Sequence, residues 1–231
     1  MMKPNHKVIQ DHEKFEAFVT WLPELEKHEA YYVTLLGRRK YHQSALTDKT
    51  SVKRFVATSK PYLVHKVQQL SLPLGLYVNR DGNALHQDAL ALYISLNPRS
   101  LKLAQQNLLR RLVDVTIDPG NFQNPAALAL AEIQKARSRS VFIDFDFDIQ
   151  DELISQTAQE IQKIVGKEAV TFLRTRGGLH ALVQPKSATK FGPKRWHQEI
   201  SSLPGCDVVG DSLIPVPGGT QGGFTPHFFQ M

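Results

Sequence analysis

Apolar residues at Phe15, Phe18, Val19, Leu22 and Leu25 recur at helical spacing and predict a helix over residues 11–28, kinked or ended by Pro23. Residues 30–36 read as a strand, and residues 53–70 read as a second helix broken at Pro61. Residues 74–79 suggest a short strand closed by the turn-rich run from Asn79 to Asn83. A strand over residues 89–96 leads into Asn97-Pro98-Arg99 and a helix over 101–112, which a Pro-Gly-Asn loop at Pro119 follows. A further helix is expected over 125–136, with proline in its first turn, where a missing amide does no harm.

The second half is more regular. Residues 141–148 alternate apolar and acidic positions, the period of a strand. Ile149, Leu153, Ile154, Thr157, Ile161, Ile164 and Val165 then fall on one helical face, with Asp151 and Glu152 suited to the N-terminal dipole and Gly166 as a stop. Strands over 169–175 and 179–183 form a hairpin around Gly177-Gly178, and a helix over 193–201 precedes short extended pieces near Val208 and Ile214. Strand, helix, two strands, helix, strand is the order of a ferredoxin-like or RNA-recognition-type antiparallel sheet with both helices on one face. The expected fold is therefore α/β in the α+β sense. An N-terminal α/β module, residues 1–135, packs on a C-terminal module, residues 136–231, as one interlocked unit.

The acidic strand is the feature that asks for chemistry. Its alternation puts Asp144, Asp146 and Asp148 on one face and Ile143, Phe145 and Phe147 on the other. Aspartate is depleted in strands and like charges on one face repel, so a compensating cation is expected. Hard oxygen ligands favour Mg²⁺ or Mn²⁺. The plain alternative is an edge strand with a solvated acidic face. A second feature, Arg174-Thr175-Arg176-Gly177-Gly178-Leu179-His180, offers glycines for close backbone approach, two guanidinium groups, and an imidazole able to donate to a phosphate oxygen. A third, Cys206-Asp207-Val208-Val209-Gly210-Asp211, supplies a carboxylate able to join the first pair across a sheet, either Asp207 or Asp211.

Composition narrows the partners. The chain has 231 residues and a formal net charge of +6, which favours a polyanionic partner such as nucleic acid or nucleotide. The densest basic cluster of the first half is Gly37-Arg38-Arg39-Lys40-Tyr41. Cys206 is the single cysteine, so neither an intrachain disulfide nor a cysteine-rich zinc module is expected. No apolar run has the length of a signal peptide core or a membrane span, and the expected location is the cytoplasm.

In their order, the three features resemble the archaeo-eukaryotic primase superfamily, particularly its small primase-polymerase branch. Val141-Phe142-Ile143-Asp144-Phe145-Asp146 is similar to the acidic pair on a strand in that family. Thr175-Arg176-Gly177-Gly178-Leu179-His180 is similar to its glycine turn ending in histidine, with Arg176 where a small polar residue is common. Asp207, with Gly210 and the Pro215-Val216-Pro217-Gly218 stretch behind it, resembles the third motif and is favoured over Asp211. The motifs cover roughly residues 140–220. The resemblance implies a DNA primase or primase-polymerase, a nucleotidyltransferase that moves a nucleoside monophosphate from an NTP or dNTP to a 3′-hydroxyl on single-stranded or template DNA. Asp144, Asp146 and Asp207 would hold the divalent ions and His180 would contact the triphosphate. Arg174, Arg176, Gly177 and Gly178 would complete the nucleotide site, and Asp148 would be an accessory. Arg38, Arg39, Lys40 and Arg99 are candidate template or nucleotide contacts. No fused helicase is expected after the third motif, so a separate helicase or other replication protein would be a partner. Two other readings stay open: a replication initiator or nucleic-acid-binding protein with weak or lost polymerase activity, and a metal-dependent phosphoesterase or nuclease.

Overall fold

The computed structural model describes residues 4–48, 50–117, 124–191 and 195–229. Helix α1 (His12–Trp21) is capped by Asp11, whose carboxylate accepts from the Lys14 amide at 3.1 Å, and it ends ahead of Pro23. Strand β1 (Glu29–Gly37) follows. The expected helix over 53–70 is instead a strand, β2 (Thr50–Ala57), and a helix, α2 (Lys60–Gln68). Ser59 caps that helix by accepting from the Tyr62 amide, and Pro61 occupies its first turn, so this proline starts a helix and breaks none. The expected strand at 74–79 is reduced to an isolated bridge between Val78 and Ala84.

Strands β3 (Leu90–Ser95) and β4 (Arg99–Ser100) flank Asn97 and Pro98, and α3 (Leu101–Ile117) and α4 (Pro125–Lys135) follow. The expected loop at Pro119 lies outside the described residues. The chain continues through β5 (Ile143–Asp148), α5 (Asp151–Val165), β6 (Val170–Thr175), β7 (Gly178–Val183), α6 (Pro185–Phe191), α7 (Trp196–Ser201), β8 (Cys206–Gly210), β9 (Leu213–Pro215) and β10 (His227–Phe229). Helix α6 was not expected from the sequence, and Pro193, the expected start of the last helix, lies outside the described residues. On α5 the buried face is Ile154, Thr157, Ala158, Ile161 and Val165, whereas Leu153 is 48% exposed.

The protein is a mixed α+β fold built on two antiparallel sheets. The first has the order β2-β1-β3-β9, with β4 also paired to β1. The second has the order β10-β6-β7-β5-β8. One face of the second sheet, carrying Phe145, Phe147, Phe172 and Ala181, packs with Ile154 and Ile161 of α5 and Trp196 and Ile200 of α7. Leu173 and Leu182 lie on its other face and join the core of the first sheet, where Trp21 stacks on Phe142 at 4.6 Å and meets Phe228 at 5.0 Å.

The C-terminal segment ties the two sheets together. After β8 completes the second sheet, β9 pairs with β3 in the first, and β10 returns to pair with β6 in the second. The division near residue 135 is thus crossed by β9. Asn97, fully buried, adds a polar staple: its amide oxygen accepts from the amides of Val141 and Phe142 at 2.8 and 2.9 Å, and its Nδ2 donates to the Phe142 carbonyl at 2.9 Å. This fixes the chain as it enters β5.

Candidate functional site

Strand alternation delivers the acidic face as expected, but the three aspartates end in different surroundings. Asp144 is 1% exposed. His180 Nδ1 lies 2.9 and 3.1 Å from its two carboxylate oxygens, and Ser212 Oγ donates to Oδ2. Asp146 and His180 face each other across β5 and β7, with His180 Nε2 3.3 Å from Asp146 Oδ1. Asp146 and Asp148 open into a cleft of about 670 Å³ between the two sheets.

Asp207 reaches the same cleft by a β-bulge. Pairing of β5 with β8 slips between Asp146 and Phe147, which leaves Asp207 as the extra residue between Cys206 and Val208. It lines the cleft beside Asp146, whose carboxyl it influences electrostatically. Asp211, the alternative third carboxylate, is held elsewhere. Arg99 and Asn97 donate to it, at 2.5 and 2.8 Å, and Arg99 is 3% exposed. Arg99 is therefore a buried strut between the two sheets and not an open template contact.

The opposite wall of the cleft is basic and aromatic. Arg38 donates to the Tyr93 hydroxyl at 2.9 Å and lies over the rings of Tyr41 and Tyr93 at 5.5 and 5.7 Å. Its Nε is buried without a partner. Lys40 lies 5.3 Å from the Tyr41 ring and also lines the cleft, while Arg39 is exposed and does not line it. Arg54 of β2 completes the cations of this wall. Among the described residues, none of Arg38, Lys40 and Arg54 has a carboxylate at ion-pair distance.

The arginines of the glycine turn serve the fold. Arg174 donates to the carbonyls of Thr175 and Gly178 at 2.6 and 2.5 Å and pairs with Asp151. Arg176 donates to the Gly222 carbonyl and stacks on Tyr41 at 4.8 Å, clamping the loop after β1 to the C-terminal segment. Its backbone amide donates to Gln221 Oε1 at 2.8 Å. The two glycines also differ. A Cβ at Gly178 would stand 1.9 Å from the Phe147 carbonyl oxygen, whereas one at Gly177 would meet nothing within 4 Å and face the cleft.

Charge placement shows in the titrating groups. Burial, reinforced by Asp144, Asp207 and Asp148 and opposed by His180, holds the Asp146 carboxyl above the usual carboxylate range. Burial pulls the His180 imidazole down, but the Asp144 carboxylate beside it, with help from Asp146, leaves it above the ordinary histidine value. Burial and Arg38 pull Lys40 down, with Asp146 and Asp148 opposing. Among the described residues, no three His, Cys, Asp or Glu side chains gather around a common ligand point. Asp144 and Asp146 close instead on His180. Asp146 and Asp207 nonetheless fit a hard divalent cation, since they bring carboxylates from adjacent strands into one cleft and repel each other there.

Sequence reasoning missed Tyr41, Tyr93, Arg54, Ser212 and Asn97, all of which act through contacts distant in the chain. Only Tyr41 carried a local signal, its place in the basic cluster. Compared with protein-family models, with curated proteins and with solved structures, the chain matches none.

Proposed function

We propose that the protein is a metal-dependent nucleotidyltransferase of the primase-polymerase kind, acting on an NTP or dNTP with a DNA strand as partner. The observation that carries this reading is the cleft with opposed charge. Asp146, Asp148 and Asp207 line one wall, and Arg38 and Lys40 line the other. A ligand that is anionic at its phosphates and needs a divalent cation matches both walls at once. The order from β5 to β8, strand, helix, two strands, two short helices and a strand, in the spatial arrangement β6-β7-β5-β8, supports the ferredoxin-like likeness drawn from the sequence.

In the reaction a 3′-oxygen bonds to the α-phosphorus as the bond to the β-phosphate oxygen breaks, and pyrophosphate leaves. Asp146 and Asp207 would hold Mg²⁺ or Mn²⁺, with Asp148 at the strand end. Such an ion, when bound, lowers the pKa of the attacking hydroxyl and offsets charge on the leaving group. Asp144, fixed by Ser212, holds the His180 ring at Nδ1, and Nε2, 3.3 Å from Asp146 at the cleft, can donate to a phosphate oxygen when the ring is an imidazolium. Arg38, with an unpartnered Nε, and Lys40 face the triphosphate, and Gly177 leaves room for it.

A second reading, a nucleic-acid-binding or replication-initiator protein without efficient transfer, is favoured by the engagement of Asp144 with His180 and Ser212. Thermal unfolding separates the two. A nucleoside triphosphate with Mn²⁺ is expected to raise Tm more than single-stranded DNA does, and to lose that effect in Asp146→Ala. Stabilisation by DNA alone would transfer the weight to the binding protein.

A further inference from the structure

The cleft extends well beyond the carboxylates. Four residues in mutual register cross the first sheet: Pro215 of β9 pairs with Tyr93 of β3, Tyr93 with Thr34 of β1, and Thr34 with Arg54 of β2. All four line the cleft. Three strand spacings separate the ends of this row, roughly 14 Å. Its Pro215 end lies close to Ser212, which touches Asp144. Its Arg54 end lies on β2, the edge strand of the sheet, where Ser51 is exposed and also lines the cleft. The Arg54 guanidinium lies near the buried Tyr32 and has no carboxylate at ion-pair distance among the described residues.

The row therefore puts a second cation far from the Arg38–Lys40 pair. Arg38 reaches back to the Tyr93 hydroxyl of this row at 2.9 Å, and Arg54 stands two strands away across Thr34, roughly 10 Å along the row. A single triphosphate seated at Arg38 does not need a cation that far away, but a chain of phosphates does. We infer that a single-stranded nucleic acid enters the cleft over the β2 edge, with Arg54 as a phosphate contact separate from the nucleotide's own phosphate site. This rests on the proposed nucleotidyl-transfer reading and adds to it the path of the strand. Contact through a guanidinium and phosphate carries no base information, so the binding is sequence-independent.

The test is binding of a labelled oligothymidylate to the full chain, followed by anisotropy between roughly 50 and 200 mM salt. In parallel, Tm is measured with a nucleoside triphosphate and Mn²⁺. Arg54→Gln keeps a donor for Tyr32 and removes the charge, and it is expected to reduce the log–log salt slope by about 0.7, the share of one phosphate on a single strand. Arg54→Lys is expected to restore the slope, and nucleotide stabilisation is expected to be unchanged in both. Ser51→Asp puts a carboxylate at the same mouth, beside Thr34, whose hydroxyl Ser51 meets at 3.4 Å, and is expected to weaken oligonucleotide binding by repelling phosphate. An unchanged slope in Arg54→Gln together with unchanged binding in Ser51→Asp would overturn the inference. So would an equal loss of nucleotide stabilisation in Arg54→Gln, which would make Arg54 part of the nucleotide site. If the slope falls as expected while the triphosphate never stabilises the wild type, the strand path stands and the transfer reading fails.

Discussion

A Cβ at residue 178 would collide with the Phe147 carbonyl, while residue 177 faces open space. Gly178→Ala is therefore expected to destabilise by at least ~2 kcal/mol, because backbone on the facing strand cannot move aside as a side chain could. Gly177→Ala should leave the urea midpoint where it is and act only on ligand binding. The sequence made both glycines visible and gave no means of telling them apart, since the atom that excludes a side chain at 178 belongs to a strand about thirty residues earlier. A longer separation, 68 residues from Asp144, hid Ser212. Ser212→Ala removes a hydroxyl donor to a buried carboxylate and should cost about 1.5–3 kcal/mol, and Ser212→Thr should recover part of it in the same denaturation series. His180 titrates with a definite sign. Its folded value is raised, so in metal-free protein the stability it contributes is complete below the ordinary histidine range and is lost as pH rises through the folded value. Unfolding free energy measured in chelator should therefore fall as pH rises from about 6.5, and this fall should flatten in His180→Asn.

Among elements, the acidic strand was legible because period-two alternation with Asp at every second place has only one arrangement on a strand. The segment over residues 50–70 was not. Its apolar residues suit either period, and the decisive signal was Ser59 with Pro61, an N-cap and first-turn pair that belongs at a helix start. Leu153 was misplaced on the α5 face because it lies one residue, about 100° of helix rotation, from Ile154, to the side of the buried stripe. The third carboxylate shows what local pattern omits. Asp207 and Asp211 are four residues apart and look alike in sequence, but a bulge turns one into the cleft and the other is claimed by Arg99 and Asn97. Asp211→Ala should lower stability by about 3 kcal/mol, the cost of leaving a buried guanidinium unpaired. Asp207→Ala should keep the wild-type unfolding midpoint and lose metal-dependent nucleotide binding. Calorimetry on the two variants, each with and without Mn²⁺ and nucleotide, checks both outcomes.

For the molecule as a whole, the α+β class and the strands β5, β6 and β7 were readable from the sequence, whereas β2, read as helix, the edge strand β10 and the way the C-terminal segment visits both sheets were not. Strand β9 is three residues long, and what places it on β3 is pairing with a strand about 120 residues earlier. That crossover brings Ser212 to Asp144 and closes the cleft at one end, so the site exists only when both sheets are joined. The cleft gathers its carboxylates from β5 and β8 and its cations from the region of β1 and β2. The central claim is that this opposed arrangement transfers nucleotides. The most direct measurement is product formation from labelled NTPs and dNTPs on single-stranded DNA, with and without a supplied primer, in Mg²⁺ or Mn²⁺, beside Asp144→Ala/Asp146→Ala and Asp207→Ala. The account predicts metal-dependent oligonucleotides that vanish in both variants while DNA binding persists. Absence of product under every condition, from folded protein that still binds DNA, would contradict it.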